Sequence, residues 1–130
     1  MELQFIVNGQ RIENFDYNRR RLLLPRANLR MGTNTIEVDY EHTYSANGFG
    51  LNKYIDPVDS EVYVSTHFGL FSANAVFPCF DQPSLKARVT LKVEAPRSWQ
   101  VASGGTVTAP VENGADRAEW SFAPTAPVAT

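Results

Sequence analysis

Cysteine is nearly absent. Cys79 stands alone among 130 residues, so no internal disulfide can form and the redox compartment stays open. Histidine is almost as scarce, with only His42 and His67. These three side chains are scattered, without a CxxC or HExxH spacing, so no metal site is expected within this chain. No apolar run approaches the ~18 residues of a membrane-spanning helix, and no membrane contact is expected. Neither charge sign dominates: 12 Lys and Arg face 14 Asp and Glu, a formal net charge of -2. That balance argues against nucleic acid as a partner. The one basic cluster, Arg19-Arg20-Arg21, reads as the solvated start of a short strand over 21–24.

Catalytic signatures are missing as well. There is no G-x-S-x-G elbow and no recognisable triad. Gly48-Phe49-Gly50 lacks the trailing glycine, lysine and helix of a phosphate loop. Asp56 and Asp59 bracket Pro57; a calcium clip is one reading, and a pair of turn-capping aspartates is the simpler one. A sustained helical apolar stripe is the last absence.

What is present reads as strands and turns. Leu3 to Val7 is mostly apolar and stops at Asn8-Gly9, a favoured two-residue hairpin turn. After the turn at Gly32-Thr33-Asn34, Ile36, Val38 and Tyr40 alternate with Glu37, Asp39 and Glu41, the period of a half-buried strand. Residues 61–68 are rich in β-branched and aromatic side chains. Ala87, Val89, Leu91 and Val93 alternate with charged and polar neighbours until Pro96, the clearest strand pattern in the sequence. Trp99 to Ala102 and Thr106 to Thr108 are expected to pair across Gly104-Gly105, and Asn113-Gly114 supplies another turn before a strand over 118–122. The expectation is an all-β antiparallel sandwich or saddle-like sheet over residues 1–122, with short helical turns near 69–75 or 84–86. The segment APTAPVAT at 123–130 reads as a flexible tail. A strand already in progress at residue 3 suggests a domain incomplete on its N-terminal side.

The densest string is VFPCFDQP at 76–83. It could be a catalytic loop, a redox or metal site, or a rigid corner. Cys79 has no adjacent base to lower its pKa and reads as a buried small side chain. Pro78 and Pro83 each fix φ and restrict the residue before them. Phe77 and Phe80 are expected to anchor in the core, and Asp81 to cap a short turn beginning at Pro83. The corner is therefore the reading chemistry favours.

Extended to VFPCFDQPSLKA (76–87), the string resembles the FPCFDEPxxKA signature of the zinc-dependent aminopeptidase N family, with Phe77, Pro78, Cys79, Phe80, Asp81, Pro83 and Lys86 on its positions. Upstream, Gly48-Phe49-Gly50-Leu51, Tyr54-Ile55-Asp56-Pro57, Glu61-Val62-Tyr63 and Ser65-Thr66-His67-Phe68 resemble the bacterial pattern GxGLxxFxDPxDGEVYLxTQFE. The resemblance runs in order over roughly residues 5–105. It implies a fragment of the family's N-terminal β domain, with the zinc ligands in a downstream catalytic domain and a peptide N-terminus as the parent's substrate. On that reading the fragment forms at most one wall of the cleft and is inactive by itself.

Two departures accompany the resemblance. The family's glutamine and glutamate of TQFE face the substrate's N-terminal end, and the glutamate helps bind the free α-amine; His67 and Gly69 stand there instead. The family also tends to carry an arginine shortly before FPCFD, where this sequence has Ser72-Ala73-Asn74-Ala75; Asp81 then needs another partner, such as Lys86, Arg88 or backbone N–H groups. A non-catalytic binding module descended from the family is the alternative. A self-standing sandwich binding through aromatics is weaker, because Tyr54, Tyr63, Trp99 and Trp120 fall on separate expected elements.

Overall fold

In the computed structural model, residues 3–69 and 72–129 are described. They form eight short strands and two single 3-10 turns. The protein divides into two compact units, Met1–Cys79 and Phe80–Thr130. Every pairing between named strands is antiparallel, so the all-β expectation holds.

In the first unit, β1 (Gln4–Val7) lies between β2 (Gln10–Arg11) and β3 (Ile36–Asp39). Asn8 and Gly9 both take positive φ, +52° and +80°, the requirement of the tight hairpin turn that matches strand twist. Alternation along β1 sends Phe5 and Val7 inward, where they are 0% and 1% exposed. They close a cluster with Ile12, flanked by Phe15, Leu22, Leu24 and Val38. Full burial of a side chain such as Phe5 is worth roughly 1.5–3 kcal/mol. The expected strand over 21–24 shrinks to one bridge, Tyr17 with Leu22. Its side chains still alternate, with Leu22 and Leu24 half-buried and Leu23 exposed. Arg19, Arg20 and Arg21 are exposed.

The second sheet of this unit is a two-stranded ribbon. β4 (Gly50–Ile55) pairs with β5 (Val62–His67) from Gly50 opposite His67 to Ile55 opposite Val62. β5 matches the expectation; β4 lies where no strand was expected. The connection is held by its aspartates: Asp56 Oδ1 accepts from Val58 N–H and Asp59 Oδ1 from Glu61 N–H, both at 2.8 Å. They are turn caps.

In the second unit, β8 (Arg117–Ser121) lies between β6 (Lys92–Pro96) and β7 (Val111–Glu112). Ala95, Ala118, Trp120 and Phe122 form its core, with Trp99 packed against them. Two expectations are corrected here. The alternating run 87–93 enters a ladder only at Lys92. Before that it meets the segment 122–128 through separate bonds: Phe122 N–H to Leu91 C=O, Thr125 N–H to Val89 C=O, and mutual Ala87–Val128 bonds, at 2.9–3.0 Å. Pro124 and Pro127 have no N–H to give, which breaks the ladder into isolated contacts. The segment read as a tail thus carries pairing that needs no large apolar side chains. The expected 99–108 hairpin is also replaced. Residues 106–108 instead bond to 121–123, through Ala123 N–H to Thr106 C=O and Thr108 N–H to Ser121 C=O.

Candidate functional site

The ribbon of β4 and β5 carries His67, one of the two substrate-side positions singled out, while Gly69 lies two residues past the end of β5. Successive strand residues point to opposite faces, so His67, Ser65 and Tyr63 share one face with their opposites Gly50, Asn52 and Tyr54. Tyr54 and Tyr63 stand directly across from each other and are 57% and 53% exposed. Leu51, Val62 and Val64, on the other face, are half-buried. The two tyrosines do fall on separate elements, as expected, but those elements pair and set them opposite each other on one face. That pairing was hidden because β4 was not recognised.

His67 ends this face. Its ring meets the Phe49 ring edge-on, with centroids 5.8 Å apart and planes at 71°. The loop bearing Phe49 is tied to β4 by Ser45, whose hydroxyl lies 2.6 Å from Phe49 C=O and 2.8 Å from Asn52 Oδ1 and has one proton to give to either acceptor. Asn47 Oδ1 accepts from Phe49 N–H at 3.1 Å. His67 also borders a shallow open groove of about 390 Å³ with Gly48, Asn52, Lys53, Tyr54 and Thr66. An imidazole, two phenols, a hydroxyl and a carboxamide offer hydrogen-bond donors and acceptors beside flat apolar faces. This suits binding. It provides no nucleophile paired with a base.

Gly69 is half-buried, with φ outside the positive region. Among the described residues, a Cβ placed there would meet Ser72 Oγ alone, at 3.4 Å. The backbone thus does not demand glycine. Leu70 and Phe71 lie outside the described residues.

The FPCFDQP string departs from its expected packing. Val76 is buried and Phe77 is half-buried, edge-on to Phe68 at 5.8 Å. Phe80 is 65% exposed, so it is not the core anchor that its aromatic character suggested. Cys79 is half-buried rather than buried. Pro78 is exposed, Asp81 and Pro83 are half-buried, and Lys86 is exposed. Beyond Pro83 the backbone turns, with Leu85 N–H donating to Gln82 C=O at 2.8 Å and Gln82 Nε2 to Ser84 Oγ at 2.8 Å. Near the end of the first unit, partial burial and then the Cys79 thiol raise the Tyr40 phenol above its usual range, since both disfavour the phenolate.

No group of three or more His, Cys, Asp or Glu among the described residues could hold a metal ion. The described residues therefore do not fit a zinc ion.

The comparisons agree with the motif. Residues 7–130 match the family model described as the peptidase M1 N-terminal domain. An aminopeptidase N of Streptomyces lividans is 34% identical over 120 residues, which is 92% of this chain and 13% of that protein. The protein named "Probable M1 family aminopeptidase 1" in Encephalitozoon cuniculi is 37% identical over 81 residues, 62% of this chain and 9% of the relative. The chain thus spans a small part of the length of the relatives it matches. On the match across residues 7–130 and the ordered motifs within it, this chain belongs to the peptidase M1 N-terminal domain family.

Proposed function

We propose that this domain forms one wall of the substrate cleft of a zinc-dependent aminopeptidase, with the His67 end of the β4–β5 ribbon nearest the peptide's N-terminus. The observation that carries the reading is the family match over residues 7–130. The zinc ligands and the bond-breaking groups belong to a downstream catalytic domain, and the role of the present domain is to bind and orient. His67 offers one donor and one acceptor in its neutral form. Gly69 offers no carboxylate, so the charge-assisted bond to a substrate ammonium implied for that position is missing here.

The full-length protein tests this through release of an N-terminal residue from an aminoacyl anilide. Zinc-dependent turnover is expected, and His67→Ala should raise KM several-fold, about 1 kcal/mol of binding, with kcat little changed. Gly69→Glu should lower KM for substrates with a free α-amine. A full-length protein that neither binds zinc nor releases residues overturns the proposal. The replacement of Gln and Glu by His67 and Gly69 favours a second reading, a non-catalytic peptide-binding module, and that outcome would support it.

A further inference from the structure

Three Asn-Gly pairs occur in the sequence, at 8–9, 47–48 and 113–114, and the fold treats them differently. In such a pair, glycine's lack of a Cβ leaves its backbone nitrogen open to approach by the asparagine carboxamide. Openness at glycine does not separate Gly9 from Gly114. Both have φ of +80°, and a Cβ at either would meet nothing within 4 Å.

The asparagine carboxamides do separate them. Asn8 is half-buried, and its Nδ2 donates to Asn28 C=O and Asn34 Oδ1, each at 2.9 Å. Its Oδ1 accepts from Thr35 N–H at 3.0 Å. Rotating that carboxamide onto Gly9 N would break all three bonds. Asn47 has one such restraint, from Phe49 N–H. Asn113 is exposed, and among the described residues its carboxamide makes no hydrogen bond. Only its backbone N–H is engaged, to Arg117 C=O at 2.9 Å.

We propose that Asn113 is a site of spontaneous deamidation in the folded protein, and that Asn8 is protected by its hydrogen bonds. Gly114 N attacks Asn113 Cγ and forms a new C–N bond. The bond from Asn113 Cγ to Nδ2 breaks, and Nδ2 leaves as ammonia with the proton lost from Gly114 N–H. Water then adds to either carbonyl of the succinimide and opens its ring to aspartate or isoaspartate. The product places a new carboxylate between Glu112 at the end of β7 and Asp116 in the turn. The isoaspartate form adds a methylene to the backbone between β7 and β8.

The test is prolonged incubation of the folded full-length chain at mildly alkaline pH, followed by peptide mapping by mass spectrometry and enzymatic isoaspartate methylation. Conversion at Asn113 should outrun that at Asn8 by at least about ten-fold, since freeing Asn8 sacrifices three hydrogen bonds. In urea the two sites should convert at similar rates. Asn34→Ala, which removes one acceptor from Asn8, should speed conversion at Asn8 and leave Asn113 unchanged. Equal rates in the folded protein, or an intact Asn113 when Asn8 has converted, overturn the assignment. Asn113→Gln should abolish the methylation signal from this turn; a signal that persists there also overturns it.

Discussion

The carboxamides of Asn8 and Asn34 meet directly at 2.9 Å, joining the first hairpin turn to the loop that precedes β3. Asn34 also receives Arg30 N–H at Oδ1 and donates to Arg30 C=O and Gly32 C=O. One residue therefore organises the loop, and the other fastens it. Asn8→Ala loses these long-range bonds and puts a Cβ-bearing apolar residue at φ +52°. It should cost about 2–3 kcal/mol, read as a lowered urea midpoint. Asn8→Gly, which tolerates the backbone angle, should recover part of the loss but not all of it.

Gly69 and Gly105 should respond in opposite ways to alanine. A Cβ at Gly105 would lie 2.6 Å from Ala123 C=O, which is backbone and cannot swing aside. Gly105→Ala should destabilise by about 1–3 kcal/mol. Among the described residues Gly69→Ala meets Ser72 Oγ alone, and it should stay within about 0.5 kcal/mol of the parent. Thermal melts of the two variants side by side check the contrast.

The phenylalanines at 5 and 80 provide a second contrast. Phe5 is fully buried and touches Phe15 edge-on at 5.6 Å, so Phe5→Ala should cost about 3–5 kcal/mol. Phe80→Ala, at a mostly exposed position, should cost under about 1 kcal/mol despite lying in the motif. An equal loss of denaturant stability for the two would contradict the packing described for the 76–83 string.

Acid should expose the Lys92–Glu119 pair. The hydrogen bond and charge from Lys92, 2.9 Å away, hold the Glu119 carboxyl below its ordinary 4.5. A carboxylate depressed in the folded state contributes stability above the unfolded value and loses it as pH falls through the folded one. The contribution is therefore present at neutral pH and fades below about 4.5. The pair is exposed, so the effect should be small and should weaken in salt. Subtracting the pH–stability curve of Glu119→Gln from that of the parent isolates it.

The sequence revealed elements whose local signals agreed with their partners. Asn8-Gly9 disclosed the first hairpin because two positive-φ residues admit few alternatives, and Val62–His67 was visible in its β-branched composition. Residues 87–91 were over-read because alternation describes faces and says nothing of the opposite strand, where Pro124 and Pro127 withhold donors. β4 escaped notice because Asn52 and Lys53 interrupt its apolar pattern; pairing with β5, rather than its own composition, makes it a strand. The candidate site divided in the same way. His67 was found through its motif, but its contact with Phe49 depends on a loop folding back, which no local pattern records.

Gly50 links these observations. It is buried at φ +69°, faces His67 across the ribbon, and sits so close to Ala75 and Val76 that a Cβ would touch both. The ribbon and the approach to the FPCF string therefore share one fulcrum. A Cβ would fit there at ordinary contact distance, but the positive φ would strain any larger residue at the point where the strand faces His67 and touches the segment leading to Phe77. The His67 face and the lead-in at Ala75 and Val76 thus depend on one residue, and engineering either requires leaving Gly50 alone.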